Sequence, residues 1–158
     1  MTPTEPCPDF DFQQGSWRVN HRRLKVRLAG CTEWEKFPGT CEQRPILGGN
    51  GNIEDNLLHL PAGSYRAIAL RSYDKASGNW AIWWLDGRAP HRLDVPVIGR
   101  FEDGIGSFHA DDLLDGAPVR LRFLWLRTDT RSPRWEQALS ADGGATWETN
   151  WTMDFEPA

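Results

Sequence analysis

Apolar and polar residues alternate with period two along most of the chain, the repeat of a strand with one face buried. From Thr146 to Phe155, Trp147, Thr149, Trp151, Met153 and Phe155 share one face, and Glu148, Asn150, Thr152 and Asp154 share the other. Val119, Leu121, Phe123 and Trp125 alternate with Arg120, Arg122 and Leu124 in the same way. Segments 64–74 and 79–86, rich in Tyr, Ile and Trp, also predict strands. Weaker versions of the pattern cover 33–42, 52–59, 91–95, 97–103, 106–112 and 134–140, and a long first strand covers 15–28. Helical periodicity is confined to one short turn near Pro8 to Gln14. About ten or eleven short strands separated by turn signals predict an all-β chain, a single antiparallel barrel or sandwich. One domain is expected over 1–158, with 1–10 a flexible N-terminal segment.

The first strand changes parity. Trp17 and Val19 lie on one face, whereas Leu24, Val26 and Leu28 lie on the other. A bulge near His21-Arg22-Arg23 would let both sets be buried, and a long bent first strand is what closes a small barrel. This favours the barrel over the sandwich.

Turn positions set the expected registers. Asp74 to Asn79 joins two aromatic strands, placing Tyr73 opposite Trp80, Arg71 opposite Ile82 and Ala69 opposite Trp84. A turn at Asp142 to Ala145 places Leu139 opposite Trp147, Gln137 opposite Thr149 and Trp135 opposite Trp151. The interior then holds Trp84, Trp125, Trp135 and Trp151 with a few polar groups, His21, Arg71, Gln137 and Thr149. An apolar wall with sparse polar groups is the make-up of a ligand cavity; the competing reading is a filled core whose polar groups satisfy one another. Arg71 weighs toward the cavity. A guanidinium among aromatic rings needs a partner, Glu136 and Glu148 fall on the other face, and an anionic ligand is the expected one.

Composition narrows the partners. The 158 residues carry 18 Lys+Arg against 22 Asp+Glu, a net charge of −4, without a basic face for nucleic acid or a polybasic stretch for membranes. No run of residues approaches the ~18 apolar positions of a membrane helix, and Met1 to Phe12 lacks a signal peptide's apolar region. Three cysteines without metal-ligand spacing predict reduced thiols, a cytoplasmic setting and no zinc.

Local motifs read as turns. Ser140-Ala141-Asp142-Gly143-Gly144-Ala145-Thr146-Trp147 matches the Asp-box pattern, a carboxylate capping its own loop over a Trp. Gly48-Gly49-Asn50-Gly51-Asn52 precedes an acidic segment, not a helix, so it is a turn rather than a phosphate loop. Glu33 and Glu35 share a face but are read as a solvated edge, and His21, His59, His91 and His109 form no metal-ligating pair.

Gly15-Ser16-Trp17, opening the first strand, resembles the GxW signature of lipocalins and the calycin superfamily. With His21-Arg22-Arg23-Leu24, Gly49-Asn50-Gly51-Asn52, Gly99-Arg100-Phe101, Trp135-Glu136-Gln137-Ala138 and Trp147-Glu148-Thr149-Asn150-Trp151, the chain is similar to an uncharacterised bacterial lipocalin-like family over about Asp9 to Phe155. The resemblance implies a lipocalin-like antiparallel barrel of about ten strands with an internal pocket. Haem-binding relatives, the nitrobindins, begin GxWxGxG and have a C-terminal His; here the motif continues Arg18-Val19-Asn20 and no His follows His109. No cofactor is therefore expected.

The expected function is binding of a small hydrophobic, aromatic or anionic ligand by His21, Arg71, Trp84, Trp125, Trp135, Gln137, Thr149 and Trp151. The alternative is a cofactor-independent isomerase, cyclase or hydrolase in the same cavity, with His21 as general base and Arg71 stabilising negative charge. A third reading is a structural or dimerisation module, a possible homodimer, whose Trp residues form a filled core and an exposed patch.

Overall fold

The computed structural model describes residues 5–158, and their strands form one closed antiparallel barrel. Its strands are β1 (Gly15–Leu24), β2 (Trp34–Ile46), β3 (Gly51–Leu60), β4 (Gly63–Asp74) and β5 (Asn79–Asp86). The second half comprises β6 (Val97–Glu102), β7 (Ile105–Leu114), β8 (Ala117–Leu126), β9 (Arg134–Ser140) and β10 (Glu148–Pro157). Each pairs with its neighbour in sequence, and β1 closes the ring on β10. Closure removes the edge strands of an open sheet, and alternation points every second side chain inward.

The expected hairpin of β4 and β5 has the anticipated register, with Arg71 opposite Ile82 and Ala69 opposite Trp84. Other expectations are corrected. β1 runs without a bulge, in constant register against β10 and β2, and ends at Leu24; Val26 lies beyond it and is exposed. Arg23, the last residue of β1 with the inward parity of Trp17, Val19 and His21, stands at the open end of the barrel. Segment 91–95 is a loop tied by the single bridge Leu85 to Leu93.

The irregularity lies instead in β10. Asn150 is the extra residue, so Trp151 faces Gln137, Met153 faces Trp135, and Thr149 faces Ala138. Thr149 therefore lies on the opposite face from Gln137, and Glu148 falls level with the inward Leu139. Such a bulge changes which face each side chain takes on either side of it.

The two ends of the barrel differ. One is filled by the N-terminal segment, which enters it and forms a 3-10 turn over Asp11–Gln13. Phe10, only 2% exposed, meets Trp80 and Phe101 edge-on at 4.9 and 5.0 Å and stacks with Phe108 at 6.2 Å. Polar bonds pin the same segment. Trp17 Nε1 donates to Gln13 O at 2.8 Å, Trp80 Nε1 to Asp9 Oδ2 at 2.9 Å, and Cys7 N to Gly49 O at 3.2 Å. Residues 5–10 are thus part of the packed body, and the expected mobility of 1–4 concerns positions outside the described residues.

The Asp-box loop is the expected clip. Asp142 accepts hydrogen bonds from the Thr146 amide and hydroxyl at 2.9 and 2.6 Å, while Gly143 and Gly144 take φ of 71° and 97°. These bonds hold the Asp142 carboxyl down to about 2. Trp147 packs outside the barrel against Arg122, whose guanidinium lies 4.5 Å from the ring centroid.

Candidate functional site: a one-ended cavity with an arginine mouth

The opposite end encloses a cavity of about 370 Å³. Its floor and walls are apolar: Ile82 (β5), Leu121 and Phe123 (β8), and Trp84, Trp135 and Trp151. Trp135 and Trp84 each meet Trp151 edge to face, with centroids 5.1 and 5.6 Å away and planes near 90°, an arrangement that fixes the rings mutually. Among the described residues Gln137 is the one amide in the wall, and it is only 8% exposed.

The mouth is charged. Arg23 at the end of β1, Arg27 after it, Arg88 and Arg92 after β5 meet Asp86, Asp94 and Asp112 there. Arg88 is committed to Asp86 through both carboxylate oxygens, its Nη2 2.8 Å from Oδ2. Arg23 donates to the Tyr65 hydroxyl at 2.8 Å and lies over Trp151, 4.1 Å from its centroid. Arg27 is half-buried and makes no hydrogen bond or ion pair within 4 Å among the described residues. Burial and the neighbouring Arg23 push its guanidinium below the ordinary value; Tyr65 and Asp112 oppose this. Burial, with Asp112 nearby, raises the Asp94 carboxyl.

Of the eight residues expected at the site, Trp84, Trp135, Trp151 and Gln137 line this cavity. The other four do not. Trp125, 1% exposed, belongs to the filled end, 6.2 Å from Phe10 and 5.3 Å from Phe155 between ring centroids. Thr149 is turned away by the β10 bulge.

Arg71 meets an acid of the chain itself. Its Nη2 pairs with Glu54, and Nη1 donates to Gln13 Oε1 at 2.7 Å and Asn52 Oδ1 at 3.0 Å. Gln13 Nε2 donates in turn to Glu54 at 2.7 Å, so the ion pair also holds the N-terminal segment. Glu54 reaches Arg71 diagonally across Ala69, whose small side chain leaves the space. The polar inward row Asn52, Glu54, Asn56 shares parity with Leu58, and that parity was the available signal. No ligand anion is required by Arg71.

His21, 2% exposed, stacks on Phe37 at 4.7 Å and accepts the Trp151 indole hydrogen on Nδ1 at 3.1 Å. Because indole only donates, the ring proton sits on Nε2. Gly39 makes room for it: a Cβ there would stand 3.0 Å from Nε2 and 2.5 Å from Leu57 O. His21 and Arg71 sit apart from the cavity wall, so the expected base and oxyanion group share no cavity in which one substrate atom could meet both. Arg23, Arg27 and Tyr65 were not singled out from sequence. Arg23 shares inward parity with His21 in the regular β1, but the inferred bulge hid it.

The fold and site define a closed ten-stranded barrel, plugged at one end and hollow at the other. Comparison of the chain with known protein families and with curated proteins finds no match. Among the described residues no helix is long and apolar enough to cross a membrane, and no cluster of three or more His, Cys, Asp or Glu side chains is placed to hold a metal ion.

Proposed function

We propose that the protein is a lipocalin-like binder of a small, flat aromatic anion, with the ring among Trp84, Trp135 and Trp151 and the acid group at the arginine mouth. The observation that carries this is Arg27, a half-buried guanidinium at the cavity mouth that makes no hydrogen bond or ion pair within 4 Å among the described residues. A guanidinium in that state gains from a carboxylate, which it can hold through two parallel N–H bonds. Arg23 adds a second positive charge beside it, whereas Arg88 is already neutralised by Asp86. The volume, about 370 Å³, suits a ligand of one or two rings. The free thiols Cys7, Cys31 and Cys41 support a reducing, cytoplasmic setting.

Titration calorimetry with 2-naphthoate tests the reading. The acid should bind, its methyl ester should bind at least about tenfold more weakly, and Arg27→Met should remove most of that difference. An ester that binds as tightly as the acid, or an Arg27→Met variant with unchanged affinity for it, contradicts the proposal.

A further inference from the structure

We infer that the ligand carries a hydroxyl at the end remote from its acid group, received by Gln137, so that the ligand class is a hydroxylated aromatic acid. This rests on the anion reading above and deepens it. Among the described residues Gln137 is the one amide set into the apolar wall, below the charged mouth. Its orientation is fixed from behind. Nε2 donates at 2.8 Å to Oδ1 of Asn150, the fully buried residue that the β10 bulge inserts. That bond leaves Oε1 without a donor among the described residues, on a side chain more than nine-tenths buried that lines the cavity.

Oε1 opens onto the cavity, where a ligand O–H can take the place of water as its donor within an otherwise apolar wall. With Nε2 engaged by Asn150, the ligand hydroxyl donates to Oε1. Placement across the sheet fits a ligand of two polar ends. Gln137 faces Trp151, and Trp151 faces Arg23, so the amide and the first mouth arginine stand two strand spacings apart, roughly 10 Å. An aromatic ring system bearing a carboxylate at one end and a hydroxyl at the other spans such a gap, against the Trp84–Trp135–Trp151 corner.

Calorimetry on the wild-type protein with 2-naphthoate, 6-hydroxy-2-naphthoate and 6-methoxy-2-naphthoate tests this without a variant. The hydroxy acid should bind about tenfold more tightly than 2-naphthoate, and the methoxy acid, which cannot donate, should lose that gain. In Gln137→Met, checked for folding by its thermal transition, the first two acids should bind alike. Equal wild-type affinity for 2-naphthoate and the hydroxy acid overturns the hydroxyl assignment while leaving the anion site standing. Failure of all three acids to bind overturns both.

Discussion

Arg71→Met should cost the fold about 3–5 kcal/mol, the effect of removing one member of a buried ion pair. Both side chains are 3% exposed, so the variant leaves the Glu54 carboxylate inside the barrel without its cation. The loss spreads beyond the pair. Gln13 Oε1 and Asn52 Oδ1 lose their donor, and the guanidinium no longer lies 4.4 Å from the Phe10 ring centroid. The segment that closes the barrel is therefore loosened together with the charge. Urea unfolding of wild type, Arg71→Met and the double variant Arg71→Met/Glu54→Leu measures this. The double variant should recover part of the loss, because an apolar pair carries no unmatched charge. A single variant as stable as wild type would contradict the assignment of Glu54 as the partner.

Acid should weaken the fold through His21 by about 2 kcal/mol between neutral pH and about pH 5. Burial, with a smaller contribution from Arg23, lowers this imidazole from 6.5 to about 3. Between those values the unfolded chain holds a proton that the folded chain refuses, so stability falls as pH falls. The contribution is intact above 6.5 and is lost progressively down to about 3, where it amounts to roughly 5 kcal/mol. The geometry agrees with a neutral ring: Nδ1 is occupied by the Trp151 indole hydrogen, and a second ring proton would displace that donor. His21→Gln keeps an acceptor but does not titrate. Wild type should lose about 2 kcal/mol more than this variant on going to pH 5; equal losses would contradict the buried neutral ring.

The sequence made the barrel legible because period-two alternation survives in most strands, and the Asp74–Asn79 turn set the β4–β5 register correctly. Three features were not legible, each for a physical reason. A bulge at Asn150 depends on packing across three strands, and without it Thr149 has the parity of an inward residue. Polar residues on the inward face of β3 look like an exposed edge until Arg71 is seen to lie across from them. Phe10 and Phe12 sit in a Pro-broken segment without period, so nothing local shows that they fill the base. The aromatic half of the candidate site followed from alternation, whereas the arginine mouth is assembled from strand ends and loops whose mutual position only the closed barrel sets.

The central claim, an aromatic anion inside the hollow end, is tested most directly by the nine tryptophan indole N–H signals in a ¹⁵N-correlation spectrum titrated with 2-naphthoate. The signals of Trp84, Trp135 and Trp151 should move together and saturate, while those of Trp17 and Trp80 at the filled end stay in place. Shifts confined to Trp83 and Trp147 on the outer face, with the three cavity rings unmoved at saturation, would contradict it.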